Sequence, residues 1–339
     1  MSQYDVESYP PLFRQPSIPF ATGGVDPIEP TKQVLDSDDP LPTIDLQSIN
    51  HIEKLSDACR DWGIFRLVNH GIPVTLLNHL HDHASKTFNL GFESKQALFT
   101  SPVAYFWGTP ALTPAGVAIQ RGPHAQSFNW VEGLNAPLSQ LSLFKAEDSL
   151  LQSLRLLLEE YGNHQSRLAR TIFEAMADNL KMSAEQSEGY LSPSTGLLRL
   201  YRYPRACSSV ANQAWGMDVH TDSSVLSILY QHEVEGLQIN RGDDTWLDVK
   251  PIPNTLVVHL GDMMQAISDD NYKSVKHRVK LDNRKERISI GYFVFPDENC
   301  VLHSSRYKPF TYADFRAQVQ QDLKTIGFKV GLPKFRLAE

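Results

Sequence analysis

The chain predicts a mainly β fold with α elements, in which a β-sandwich or barrel core sits between helical buttresses. Three observations carry that expectation. From about Gly196 to Pro296, short β-branched and aromatic runs recur between turn signals. Ahead of them, Leu141–Met182 is leucine-rich with a period near 3.6 and reads as a long helical stretch. The 339 residues, 41% hydrophobic and 21% charged, suffice for one sizeable core, with no repeat or low-complexity tract.

Taken in order, residues 1–40 are rich in Pro, Ser and Asp without a sustained period and predict an irregular, peripheral arm lying over the body, or a partly disordered one. Leu41–Leu46 ("LPTIDL") reads as a short strand. Ile52, Leu55, Ala58 and Trp62 fall at helical spacing and stop at Gly63. Ile64–Pro73 is a second strand turning at "NHG", and Val74–Leu90 a further helix. His79 and His83 lie four apart on that helix. With no carboxylate or third ligand beside them, they read as solvated or packed positions. Val103–Pro110 and Trp130 fall in a loop-rich region, and Ser183 with Gln186 forms a capping box for a short helix. The chain thus divides into an arm (1–40), an N-terminal region (41–140), a helical buttress (141–195), the β core (196–300) and a C-terminal helical tail (301–339).

A net charge of −7 argues against nucleic acid or an anionic membrane as the main partner. No apolar run is long enough to span a bilayer, and the N-terminus lacks a secretory pattern. Cys59, Cys207 and Cys300 are few and scattered, so a reducing compartment, by default the cytoplasm, is expected.

The chemistry concentrates in the β block. In "MDVHTDSSVLSILY" (Met217–Tyr230), strand geometry turns His220 and Asp222 to one side and Thr221 away. In "SVKHRVKL", Val275, His277 and Val279 share one face, while Lys276, Arg278 and Lys280 make a basic face expected in solvent. Two imidazoles and a carboxylate delivered by strands match the facial triad of non-haem Fe(II) oxygenases. The same three side chains suit tetrahedral Zn²⁺ with one water. After the turn "LDNRKE" comes "RISIGYFVFP", with Arg287, Ser289, Gly291, Phe293 and Phe295 on one face. A hairpin through that turn would pair this strand with the one carrying His277. An inward arginine needs an anion, and its fork suits a carboxylate. That favours a dicarboxylate cosubstrate clamped at its far end, which a zinc hydrolase does not need. Upstream, Arg199, Tyr201 and Tyr203 share one side of a strand, and Tyr203 is placed either to reach the same cosubstrate or to pack in the core.

Together, "HTD", His277 and "RIS" resemble the plant 2-oxoglutarate- and Fe(II)-dependent dioxygenases. "LPTIDL", "DWGIFRLVNHGIP", "EGLQI" and "LVVHLGDMMQAISDDNYKSVKHRV" match that family in order, so the likeness covers roughly residues 40–335. It implies a double-stranded β-helix (jelly-roll) core. It also implies Fe(II) held by His220, Asp222 and His277, and 2-oxoglutarate held by Arg287, Ser289 and Tyr203, with O2 as the second cosubstrate. "QSFNWVEGLNAPLSQLS" and the tail Ser305–Phe335 resemble the gibberellin 2-oxidases, in particular the group acting on C20 gibberellins. The chain departs from many relatives at Tyr201, where they carry asparagine. Isopenicillin N synthase shares the triad and the R-x-S pattern without 2-oxoglutarate, so R-x-S marks an anion site without naming the anion.

The resemblance implies 2β-hydroxylation of a gibberellin, a rigid apolar acid. The alternatives are the same chemistry on a flavonoid, alkaloid or other hormone, and a non-catalytic or zinc-binding module. Phe293, Phe295, Tyr105, Trp107 and Trp130 are the candidate substrate residues. Arg121, Arg202, Arg205, Lys273 and Lys308 are candidate partners for a substrate carboxylate, each with a solvated surface role as its plain alternative.

Overall fold

A computed structural model describes residues 6–14, 40–48, 52–109, 128–145, 148–205, 215–242 and 245–338. Its N-terminal part runs β1 (Thr43–Asp45), α1 (Ile52–Asp57), β2 (Ile64–Val68), α2 (Val74–Phe88), α3 (Phe92–Leu98), β3 (Ala104–Trp107) and β4 (Glu132–Pro137). Then come α4 (Ser149–Asn179), α5 (Ala184–Ser187), β5 (Ser192–Tyr203), β6 (Trp215–His220), β7 (Leu226–Gln231), β8 (Leu237–Asn240) and β9 (Trp246–Asp248). The chain continues through β10 (Leu256–Leu260), α6 (Asp262–Ile267), β11 (His277–Lys280), β12 (Arg287–Phe295) and α7 (Tyr312–Thr325).

Local signals set many of these bounds. Gly63 ends the first helical run with φ +67°, and a Cβ there would lie 2.2 Å from the Lys273 carbonyl oxygen, so only glycine fits. Asp148 caps α4 by accepting from the Leu151 N–H at 2.8 Å, and the expected box of Ser183 and Gln186 caps α5.

Two sheets face each other. The larger has eight strands in the order β1-β2-β10-β7-β12-β5-β4-β3, and the smaller four in the order β6-β11-β8-β9. Alternation along the central strands decides what each face meets. Leu198 and Leu200 on β5, and Ile288, Ile290, Tyr292 and Val294 on β12, join one core with the α4 side chains. The opposite parity of both strands looks toward the smaller sheet, where Tyr201 and Tyr203 pack with Met217 and Val279. This two-sheet core with helical buttresses is the double-stranded β-helix architecture expected.

Four expectations need correction. The strand carrying His277 and the strand carrying Arg287 do not form a hairpin. β11 pairs with β6 and β8 in the small sheet, while β12 pairs with β5 and β7 in the large one. Leu281–Glu286 is a crossover between sheets, anchored by Leu281 buried among the inter-sheet side chains. Arg278 is not on a solvent face. Its guanidinium lies 4.0 Å and 3.8 Å from the rings of Trp215 and Trp246, and its Nε donates to Gln238 at 2.8 Å. Residues Ala104–Trp107 are not loop but an edge strand of the large sheet, held on β4. Nor is the start of the chain peripheral: Ser8 is buried, and the Phe13 ring stacks on Trp130 at 5.0 Å.

Candidate active site

A cavity of about 1280 Å³ lies between the two sheets, and His220, Asp222 and His277 line it. β6 ends at His220, opposite His277 in the β6–β11 register, so the pairing itself brings the two rings to 4.2 Å. Asp222 follows two residues on, just beyond the strand. Donor atoms of the three side chains all lie within 4.8 Å of one another.

The geometry is that of ligands rather than of hydrogen-bonded partners. Asp222 Oδ1 stands 3.8 Å from His220 Nε2 and 3.7 Å from His277 Nε2, too far for a hydrogen bond. Two ligands each about 2.1 Å from one ion stand roughly 3 Å apart at right angles and about 4.2 Å apart when opposed, which brackets both distances. Each imidazole is oriented through its other nitrogen. Nδ1 of His220 meets the Asp218 carbonyl at 2.7 Å, and Nδ1 of His277 meets the Val275 carbonyl at 3.2 Å. Burial, aided by the neighbouring His277, draws the His220 pKa down to about 3, so that ring is neutral. Burial alone would raise the Asp222 carboxyl, but the facing imidazoles of His277 and His220 outweigh it and hold the group ionised. Two imidazole nitrogens and one carboxylate fit a divalent cation.

Across the cavity, β12 presents Arg287 and Ser289. Arg287 Nη1 donates to Ser289 Oγ at 3.0 Å and Nη2 to Gln231 Oε1 at 2.9 Å, while Nε has no partner. Its guanidinium lies 5.1 Å from the Tyr203 ring, brought there by the Arg287–Tyr203 register of β12 on β5. Tyr203 in turn leaves no room above it: a Cβ at Gly216 would sit 2.6 Å from its ring. Among the described residues no carboxylate lies within ion-pair distance of Arg287. A buried, half-satisfied guanidinium beside a hydroxyl suits the far carboxylate of a small dicarboxylate.

The other predicted residues separate cleanly. Phe293 and Phe295 line the cavity. Tyr105, Trp107 and Trp130 do not, because the β3–β4 pair lies at the end of the large sheet. The Tyr105 hydroxyl donates to Glu132 instead, and Trp107 and Trp130 pack around Phe13. Thr109 and Asn129, beside them in sequence, do reach the cavity. Of the cationic candidates, Arg202 is buried in an ion pair with Glu132 on the opposite face of β5. Arg205, Lys273 and Lys308 are exposed and do not line the cavity, and Arg121 lies outside the described residues. His79 is exposed and His83 half-buried, its Nδ1 on the His79 carbonyl at 2.8 Å.

Two further residues line the cavity. Arg199 hydrogen-bonds Tyr201, lies 5.1 Å from the Phe293 ring, and leaves its buried Nε unpartnered. Its shared parity with Tyr203 was the available signal. His259 on β10 stands 4.7 Å from the His277 ring with both nitrogens unpartnered, and burial draws its pKa to about 3. A histidine inside the apolar run "LVVHL" was its only mark.

The chain is similar to known proteins in sequence and fold. Residues 195–296 match the 2OG-Fe(II) oxygenase superfamily, and residues 41–140 match the N-terminal region described for a non-haem dioxygenase in morphine synthesis. The chain is 34% identical to gibberellin 2-beta-dioxygenase 8 of Arabidopsis thaliana over 84% of its own length and 80% of that protein. It is 32% identical to gibberellin 2-beta-dioxygenase 6 of Oryza sativa subsp. japonica, over 87% and 84%. The crystal structure of JOX2 in complex with 2OG, Fe and JA superposes with a TM-score of 0.71 at 25% identity, covering 88% of this chain and 89% of that one. Sequence, fold and site together establish that the chain belongs to the 2OG-Fe(II) oxygenase superfamily and is a 2-oxoglutarate-dependent dioxygenase that uses iron.

Proposed function

We propose that this dioxygenase hydroxylates a hydrophobic carboxylic acid of hormone size, with a gibberellin, oxidised at the 2β position, as its leading substrate. We further assign Fe(II) to His220, Asp222 and His277, and 2-oxoglutarate to Arg287, Ser289 and Tyr203. The observation that carries the acid is Arg199, a second cavity-lining arginine that has no carboxylate within ion-pair distance among the described residues and a buried Nε without a hydrogen-bond partner. Arg287 accounts for one bound carboxylate, and Arg199 asks for another. The walls between them are apolar, including Leu229, Leu237, Val279, Phe293 and Leu323. At about 1280 Å³ the cavity holds a small cosubstrate and a larger ligand together. The relatives named for gibberellin support that choice, while the JA complex points to the same class of ligand.

When bound, iron with 2-oxoglutarate supplies the oxidising chemistry: O2 is reduced as 2-oxoglutarate becomes succinate and CO2, and a substrate C–H becomes C–OH. The chain's own part is placement. His220 and His277 are fixed by backbone carbonyls with Nε2 turned inward, and Asp222 stays ionised between them. Arg287 and Ser289 draw the distal carboxylate to the opposite wall. Tyr201, standing where many relatives carry asparagine, accepts from Arg199 and so points that guanidinium into the cavity.

The test is anaerobic loading with Fe(II) and 2-oxoglutarate, then air and a panel of C19 and C20 gibberellins, JA and neutral flavonoids. Succinate matched by a 2-hydroxygibberellin is the expected result. Turnover coupled to a neutral flavonoid, with every acid inert, sinks the acid reading.

A further inference from the structure

The turn between His220 and Asp222 lies outside any strand, so no sheet ladder fixes it. It is held from the C-terminal tail. Lys329 Nζ donates to the Thr221 carbonyl at 2.7 Å and to Ser223 Oγ at 3.1 Å, and pairs with Asp262 Oδ2 at 2.7 Å. Three N–H donors thus meet three acceptors. Asp262 completes the grip, its backbone N–H donating to the Asp222 carbonyl at 2.8 Å. The peptide on each side of Asp222 is therefore tied to one ion pair. That pair is shielded, with side chains only 13% and 5% exposed, so its strength is not that of a surface contact.

The tail that delivers Lys329 is itself pinned. The Val330 N–H donates to Asp322 Oδ2 at 3.0 Å, and Gln318 Nε2 donates to Asp322 Oδ1 at 2.8 Å. Gly331, at φ +73°, lets the tail press on Asp262, where a Cβ would come within 3.1 Å of Oδ2. Phe328 and Val330, flanking Lys329, line the cavity. The same tail segment thus both lines the cavity and holds the ligand turn.

We infer that Lys329, through Asp262 and Thr221, is a positioning residue for the metal ligands, so that docking of the C-terminal tail sets the protein's affinity for iron. The inference rests on the assignment of the metal to His220, Asp222 and His277. Its hydrogen-bond acceptors are on the ligand turn or on the residue that braces it, which is why its loss acts on the metal rather than on the core. Removal of such an outer partner typically costs about 10–100-fold in metal affinity.

The experiment is anaerobic Fe(II) titration by calorimetry on full-length Lys329→Met, Lys329→Arg and Asp262→Asn, with thermal melting of the metal-free proteins. Lys329→Met and Asp262→Asn are expected to raise the Fe(II) Kd about tenfold or more with metal-free melting within a few degrees of wild type. Lys329→Arg should recover part of the loss. Lys329→Met binding Fe(II) within twofold of wild type overturns the inference, as does a loss matched by a collapse in metal-free melting. If the Met variant does not fold, Lys329→Gln is read by the same criteria. Asp222→Ala, run alongside, separates the two layers: if it keeps wild-type affinity, the metal assignment itself falls.

Discussion

β5 carries two arginines three residues apart that meet opposite fates. Arg202 faces outward into a closed polar cluster. Its guanidinium pairs with Glu132, whose other oxygen takes Lys95 Nζ at 2.7 Å, and Ser8, Asn89 and the Tyr9 ring complete the shell. Arg199 faces inward onto the cavity, where the Tyr201 phenol and the Phe293 ring are its neighbours and, among the described residues, Asp222 acts on it only from beyond ion-pair distance. Two residues of one type, one fully buried and one half-buried, thus do different work. A cation already matched by a carboxylate is structure. One whose charge the protein leaves unanswered, in a cavity, is a demand for a ligand.

Several substitutions break or sharpen that contrast. The most drastic lies on the cavity side: Asp222→Ala is expected to abolish coupled succinate formation while the outward cluster and the melting temperature stay near wild type. Conversely, Glu132→Ala strands Lys95 and Arg202 in the interior. It should cost about 3–5 kcal/mol in denaturant unfolding and leave the KM for 2-oxoglutarate unchanged in whatever fraction stays folded. A shifted KM there would blur the division between faces. Arg287→Met should raise the KM for 2-oxoglutarate by roughly 30-fold or more, the kinetic equivalent of about 2 kcal/mol, with no loss of stability. Next comes Arg199→Met, with about a tenfold rise in KM for an acidic substrate and none for 2-oxoglutarate, or about 1.4 kcal/mol. Because it removes a half-buried cation that has no carboxylate within ion-pair distance among the described residues, its melting temperature should hold or rise; a fall would place Arg199 with Arg202 after all. Smallest is Tyr9→Phe, which loses the 2.6 Å bond to Glu286 and should cost about 1 kcal/mol of stability without touching kinetics.

The outward cluster shows why the arm was misread. Residues 1–40 have no period, and period is what marks an element in a sequence. Yet Ser8, through its carbonyl at 2.6 Å from Lys95 Nζ and its hydroxyl near Arg202, closes a network whose other members lie up to 194 residues away. Polar satisfaction over such separations leaves no local trace. The aromatic guesses failed for a related reason. Tyr105, Trp107 and Trp130 look like pocket residues by composition, but Tyr105 and Trp107 sit on the strand at the sheet's far end, and Trp107 and Trp130 pack against Phe13 and Phe128. Thr109 and Asn129, unremarkable by type, reach the cavity instead.

What the sequence determined by itself was whatever a period of two can carry. The inward parity of His277, of Arg287 with Ser289, and of Arg199 with Tyr203 followed from alternation along single strands, and the shared side of His220 and Asp222 from their spacing. The capping box at Ser183 and the helix stop at Gly63 were equally local. Which strand lies beside which was not. Alternation tells a side chain its face but not its neighbour, so the supposed hairpin from β11 to β12 was wrong although both strands were right. Only the closed structure put Arg287 across the cavity from His277 rather than next to it, buried Arg278 between two tryptophans, and carried Lys329 to a turn 108 residues earlier. Those placements depend on two sheets packing face to face, a long-range outcome of burying the apolar faces of many strands at once.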